Sequence, residues 1–171
     1  MKKMRASYCR IVSNISEWSG RGVSIVLFLL VGVLAYEVTM RYVFNSPTIW
    51  GQELSLFLFG TTGMIGGAYV LLHKAHVNLD LLYSRVTRRK QAILDLITAP
   101  LFFFIIIAMV WAGGGFALRS WKILEPSSTV WAPPVYPFKT IVPVAAFLLL
   151  LQGAAKFIRD LYFATHGREL E

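Results

Sequence analysis

The sequence predicts an all-α membrane protein with four transmembrane helices, and three observations lead there. Hydrophobic residues make up 56% of the 171-residue chain and charged residues only 15%, whereas soluble globular chains run nearer 45–50% and 25%. Mean hydropathy is +0.60, and the apolar residues gather in four long runs. The charges are segregated: 17 Lys plus Arg stand against 9 Asp plus Glu, a net charge of +8, and the basic residues flank the runs. Other classes fit poorly. Aromatic content of 14% opposes disorder, a lone Cys9 opposes a disulfide scaffold, and the flanking placement of the basic residues opposes a nucleic-acid partner.

A helix crossing a hydrocarbon core of about 30 Å needs about 20 apolar residues. Residues 22–40 supply the first run, broken only by Glu37, while 54–72, 96–118 and 140–155 carry no charge. With their flanks these read as spans of about 22–41, 50–72, 93–118 and 138–157 in a single domain covering 1–171. Lys139 and Lys156 bracket the short fourth run and are expected to reach the headgroups, with Pro143 in the tolerant first turn of that helix. Residues 1–21 hold five Lys plus Arg, 73–91 hold five and the tail from Lys156 three, against one in 41–49 and three in 119–139. That split, 13 against 4, puts both termini and the middle connection in the cytoplasm.

Ahead of the first span, Tyr8, Ile11, Val12, Ile15 and Trp18 recur at helical spacing beside Arg5 and Arg10. They predict a short N-terminal amphipathic helix in the bilayer interface, its basic side drawn to anionic lipid. Between spans one and two, Ser46-Pro47 offers an N-cap followed by Pro at the first helical position, so those spans are expected to be antiparallel neighbours.

Enzyme chemistry finds little support. His73, His76 and His166 all fall in segments expected in the cytoplasm, which excludes a bis-histidine haem inside the bundle. His76 and Asp80 stand four apart but lack further metal ligands, so a polar anchor of the middle connection is expected instead. No phosphate-binding lysine loop, paired-cysteine motif or serine nucleophile elbow occurs, and no cofactor is expected. Glu37 and Arg41, four apart in favourable order, with Glu53 opening span two, predict a charge cluster at the outer end of the first helix pair. Its position near the rim favours a structural clamp over a proton relay. Asp95 reads as a first-turn acid complementing the dipole of span three. Gly63 and Gly67 form a small-xxx-small step that lets another helix approach closely, and Gly113-Gly114-Gly115 is expected to loosen span three near its exit. No span carries a polar stripe and no inverted repeat is visible, so a partner helix set is a better reading than a pore.

The run from Arg41-Tyr42-Val43-Phe44-Asn45-Ser46-Pro47, through Trp50 and Glu53 and a glycine-rich span, to His76-Val77-Asn78-Leu79-Asp80 resembles the small permease subunit of tripartite ATP-independent periplasmic (TRAP) transporters, the DctQ-like family. The four-span layout is similar over the whole chain, and Trp131-Ala132-Pro133-Pro134 with Tyr136-Pro137-Phe138-Lys139 resembles one branch of that family. The resemblance implies a non-catalytic bacterial inner-membrane subunit that braces a large permease subunit. It further implies a periplasmic solute-binding protein that delivers an organic acid and a sodium gradient that drives import. It would give Arg41, Trp50 and Glu53 the task of organising the outer end of the first helix pair, and His76 with Asp80 that of anchoring the cytoplasmic connection. The sequence departs from the commonest family form at Gln52 and Asn78, which weakens any second carboxylate role at position 52. Trp121, Trp131, Tyr136 and four prolines make 119–139 a rigid aromatic segment, which reads either as a contact for the delivery protein or the large subunit or as an ordinary aromatic belt at the interface. The alternative is a self-sufficient four-helix transporter coupled to protons through Glu37.

Overall fold

Helix dominates because each apolar run leaves no water to satisfy its backbone, so the hydrogen bonds must close within the segment. The computed structural model describes residues 2–73 and 87–166. Four helices follow one another: α1 (Lys2–Tyr42), α2 (Gly51–Leu72), α3 (Arg88–Ile123) and α4 (Tyr136–His166). Each is long and apolar enough to cross a membrane. They run up and down, so both ends of the described chain lie at one end of the bundle, the termini end. The connections 43–50 and 124–135 lie at the other, the loop end. The expected anchor of His76 and Asp80 falls outside the described residues.

The amphipathic stretch expected at the N-terminus is helical but is not a separate element. It is the first part of α1, which runs unbroken for 41 residues, about 60 Å. Packing explains the continuity. Cys9, Ser16, Leu30 and Glu37 are buried and Val23 half-buried at steps of seven or multiples of seven, one stripe along the whole helix. Gly20, on the neighbouring row, does not interrupt it, because a Cβ there would overlap the Tyr69 ring of α2. Ile11, Ile15 and Trp18 face outward from the other side.

The core gathers around α4, of whose most apolar stretch 28% is buried, against 6% for α3. Near the termini end Cys9 and Val12 of α1 pack against Ala155, with Tyr8, Leu151 and Ile158 around them. Ser16 Oγ donates to Gln152 Oε1 at 3.2 Å, both residues fully buried. Arg159 Nη2 donates to Ser13 Oγ at 2.6 Å and to the Cys9 carbonyl at 3.2 Å. Between α3 and α4, Phe102 lies where a Cβ on Gly153 would fall.

Several local expectations need correction. Pro143 is the eighth residue of α4, not in its first turn, since that helix starts at Tyr136. Gly113 faces it, with room for a Cβ only 3.6 Å from the Pro143 ring. The glycine run therefore accommodates a proline on the neighbouring helix, and α3 continues through it to Ile123. Asp95 lies in the second turn or beyond of α3 and pairs across to Lys156 at 2.8 Å, so that lysine is tied within the bundle and does not simply reach for headgroups. Pro47 precedes the helix by several residues, and Trp50, not Ser46, stands at the N-cap of α2 without a side-chain cap; Thr48 Oγ1 accepts from Gly51 N, the first amide of the helix, at 3.1 Å.

Candidate functional site

The charged groups lie at two levels. In α1 Glu17 and Glu37 are twenty residues apart, about 30 Å, and in α4 Lys139 and Lys156 are seventeen apart, about 26 Å. Both separations approximate the thickness of a bilayer core.

At the loop end, Glu37 is only 5% exposed and its oxygens are fully engaged. Oε1 accepts from Arg41 Nε at 3.2 Å and Nη2 at 2.5 Å. Oε2 accepts from the Thr48 amide at 3.2 Å and from the Thr48 hydroxyl. Gly51 is buried beside them, and a Cβ on it would sit 2.5 Å from Thr48 Oγ1 and 2.7 Å from Glu37 Oε2. Asn45 makes the turn with a left-handed φ of 49°, a conformation asparagine tolerates better than most residues. Trp50 stacks on Tyr36 at 5.8 Å between centroids, closing the α1–α2 corner.

Glu53 does not join that cluster. Its Oε2 accepts from Thr129 Oγ1, which ties α2 to the connection before α4. That connection is a small hairpin: Pro126 bridges to Pro134, Ser127 N donates to Pro133 O at 2.8 Å and Val135 N to Glu125 O at 3.0 Å. Leu124, at φ 47°, ends α3 in the left-handed position where glycine is usual. Below the hairpin, Glu125 Oε2 accepts from Lys139 Nζ at 2.6 Å and from Ser120 Oγ at 2.7 Å. The Lys139 ammonium, then the Ser120 hydroxyl, hold the Glu125 carboxyl below the usual carboxylate range, against the opposing effect of partial burial. Lys139 also lies 5.3 Å over the Phe116 ring, and Trp121 Nε1 donates to Thr140 Oγ1 at 2.8 Å. Trp131 and Val130 sit exposed at the tip.

At the termini end Glu17 Oε2 meets His73 Nε2 at 3.3 Å, and Arg21 lies 3.8 Å from Oε1. Asp95 and Asp160 both approach Lys156, at 2.8 and 3.9 Å. Every acid among the described residues thus has a partner at one of the two levels, and none of them forms a group suited to a metal ion. The arrangement can fasten helices to one another.

Of the residues singled out from sequence, Glu37 and Arg41 come together, Trp50 stands beside them, and Glu53 and Trp131 belong to the hairpin side. A Cβ on Gly63 would meet nothing within 4 Å, and one on Gly67 only Leu149 at 4.0 Å. Among the described residues the tightest glycine contacts are instead at Gly20, Gly51 and Gly153. Sequence reasoning missed Thr48, Thr129 and the Ser16–Gln152 pair. Thr48 carried a signal, a residue of N-cap type three before Gly51; the other two join segments far apart in sequence.

The family model for tripartite ATP-independent periplasmic transporters, DctQ component, matches residues 30–162, well over half of the chain. The chain belongs to the DctQ family. This DctQ-family protein is 34% identical over 73 residues, 43% of its length, to the sialic acid TRAP transporter permease protein SiaT of Haemophilus influenzae. It is 26% identical over 83 residues, 48% of its length, to the sialic acid TRAP transporter small permease protein SiaQ of Vibrio cholerae. The matches span 11% of the first relative and 46% of the second, at most about half of either. The DctQ-family chain is therefore a multi-pass membrane protein of the TRAP permease class.

Proposed function

We propose that this DctQ-family protein is the non-catalytic small membrane subunit of a binding-protein-dependent importer, bracing a large permease subunit that carries the substrate and cation sites. In this reading the importer lies in a bacterial inner membrane with both termini of the chain in the cytoplasm. A sodium gradient drives uptake, and a periplasmic solute-binding protein delivers an organic acid. The observation that carries the reading is that each described acid is already tied at one of two levels about 30 Å apart. No charged residue of the described helices is left between those levels for a solute or ion to use.

Other features support it. The basic residues favour the termini end by segment, as cytoplasmic ends do. Both relatives are named for sialic acid, a carboxylic acid, which supports an organic acid as cargo. The hairpin with Val130 and Trp131 at its tip then faces the periplasm, where the delivery protein or the large subunit can reach it. A self-sufficient proton-coupled transporter would need Glu37 free to exchange protons, yet Arg41 and Thr48 occupy both of its oxygens.

Co-purification tests the proposal. The tagged chain, expressed with the genes next to its own and extracted in mild detergent, should bring down a larger multi-span protein. Organic-acid uptake should require the chain yet survive Glu37→Gln. Recovery of the chain alone would overturn the proposal. So would proton-coupled uptake by the purified chain that disappears in Glu37→Gln.

A further inference from the structure

A groove of about 360 Å³ runs down the outside of the α1–α2 pair from the loop end. Arg41, Gln52 and the Arg41-paired Glu37 stand at its mouth; leucines of α1 with Leu56 and Phe59 of α2 wall its deeper part. Leu56 and Phe59 are 67% and 66% exposed, so none of the described helices covers them. From Arg41 to Leu30 is eleven residues of helix, about 16 Å. That is close to half the thickness of a bilayer core, the depth of one leaflet.

The mouth is rich in free donors. Glu37 engages Nε and Nη2 of Arg41, and a guanidinium has five N–H groups. The rest have no acceptor among the described residues, although 43% of the side chain is exposed. Gln52 is exposed and its amide makes no hydrogen bond among the described residues. Polar donors at headgroup level above an apolar channel one leaflet deep reproduce the polarity order of a phospholipid. The walls are leucine and phenylalanine, which suit a flexible chain. A second helix would pack more closely against glycine, and Gly63 lies beyond the groove.

We propose that this groove holds one phospholipid of the surrounding bilayer. Its acyl chain lies between Leu34 and Leu56, and its phosphodiester accepts from Arg41 and Gln52. The pair would be sealed by lipid at its loop end, and the already anchored Arg41 would present its remaining donors in a fixed orientation. This inference needs only membrane embedding and does not depend on the transporter reading.

Native mass spectrometry of the full chain, taken from membranes in mild detergent, tests it. Wild-type protein should keep one phospholipid through a delipidating wash. Leu56→Trp, which fills the channel, and Gln52→Glu, which sets a carboxylate beside the phosphate, should each lower the retained lipid at least fivefold. Leu118→Trp on α3 should leave it unchanged. Gln52 has no partner to lose, so its variant decides the matter if Leu56→Trp fails to fold. Wild-type protein that keeps no lipid, or Gln52→Glu that keeps as much as wild type, overturns the proposal. So does a photocrosslinker at position 56 that captures a protein segment and no lipid.

Discussion

Thr48 is joined to Glu37 twice, through its amide at 3.2 Å and through its hydroxyl, across 11 residues of chain. The same hydroxyl accepts from Gly51 N. One side chain therefore holds the first amide of α2 and fastens that helix to the last turns of α1, and the α1–α2 corner depends on a residue with no charge.

Thr48→Val keeps the shape of that side chain and loses both bonds of the hydroxyl. It should destabilise the protein by about 1–2 kcal/mol, the range for losing hydrogen bonds of this kind. Thr48→Ser should recover most of the difference. Thermal unfolding in detergent measures both, and equal melting of the two variants would contradict the assignment.

Glycine substitutions should separate by position. Gly20→Ala and Gly153→Ala place a methyl group into the Tyr69 and Phe102 rings, and overpacking of that kind typically costs about 1–3 kcal/mol. Gly63→Ala meets nothing and should be neutral or gain up to about 1 kcal/mol from helix propensity. The same melting experiment ranks the three.

Stability should depend on acid through Glu125. Its folded pKa lies below the ordinary 4.5, chiefly because of Lys139, so the ionised form is the one the fold favours. The contribution is complete above the unfolded pKa and fades as pH falls through the lower folded value. Melting of wild type should exceed that of Glu125→Gln at pH 7, and the gap should shrink progressively below about pH 4.5. A gap that widens on acidification would reverse the sign.

Ser16 and Gln152 form a buried polar pair, yet the coupling should be small. Interhelical hydrogen bonds in membranes average about 0.6 kcal/mol and reach about 1.7. A double-mutant cycle with Ser16→Ala and Gln152→Leu should fall in that range. A value above about 3 kcal/mol would mean that more than this bond had been broken.

Orientation is open to chemical labelling. Cys9 is 3% exposed and Val130 89%, so the native thiol should react slowly and a Val130→Cys thiol quickly. In intact cells with a permeable outer membrane, an impermeant maleimide should label Val130→Cys if the hairpin is periplasmic. Labelling only after the inner membrane is broken would invert the proposed topology.

The four helices were legible because hydropathy and the placement of charge are local properties, and Glu37–Arg41 was legible because four residues make one helical turn. The joins between elements were not. Glu125–Lys139, Asp95–Lys156 and Glu53–Thr129 depend on which helix ends meet, and no periodicity encodes that. The continuity of α1 was hidden for a related reason. The Tyr8–Trp18 periodicity reads as a separate short helix until Tyr69 is seen packed against Gly20, at the join with the first span. Gly63 and Gly67 are not closely approached within the described chain: the pattern permits close approach, but only a neighbouring helix decides where it is used.

The contacts that bind the start of α1 to the end of α4 join residues 136 to 150 positions apart. During synthesis at about 5–20 residues per second, α1 is made roughly seven to thirty seconds before the residues that will cover it. Through that interval Cys9, Val12 and Ser16 present a face meant for a helix not yet translated. The two hairpins can form as they emerge, whereas the α1–α4 seam is necessarily late. A chain truncated before position 151 should then insert its first hairpin and leave that face bare, a ready target for the cell's membrane quality control.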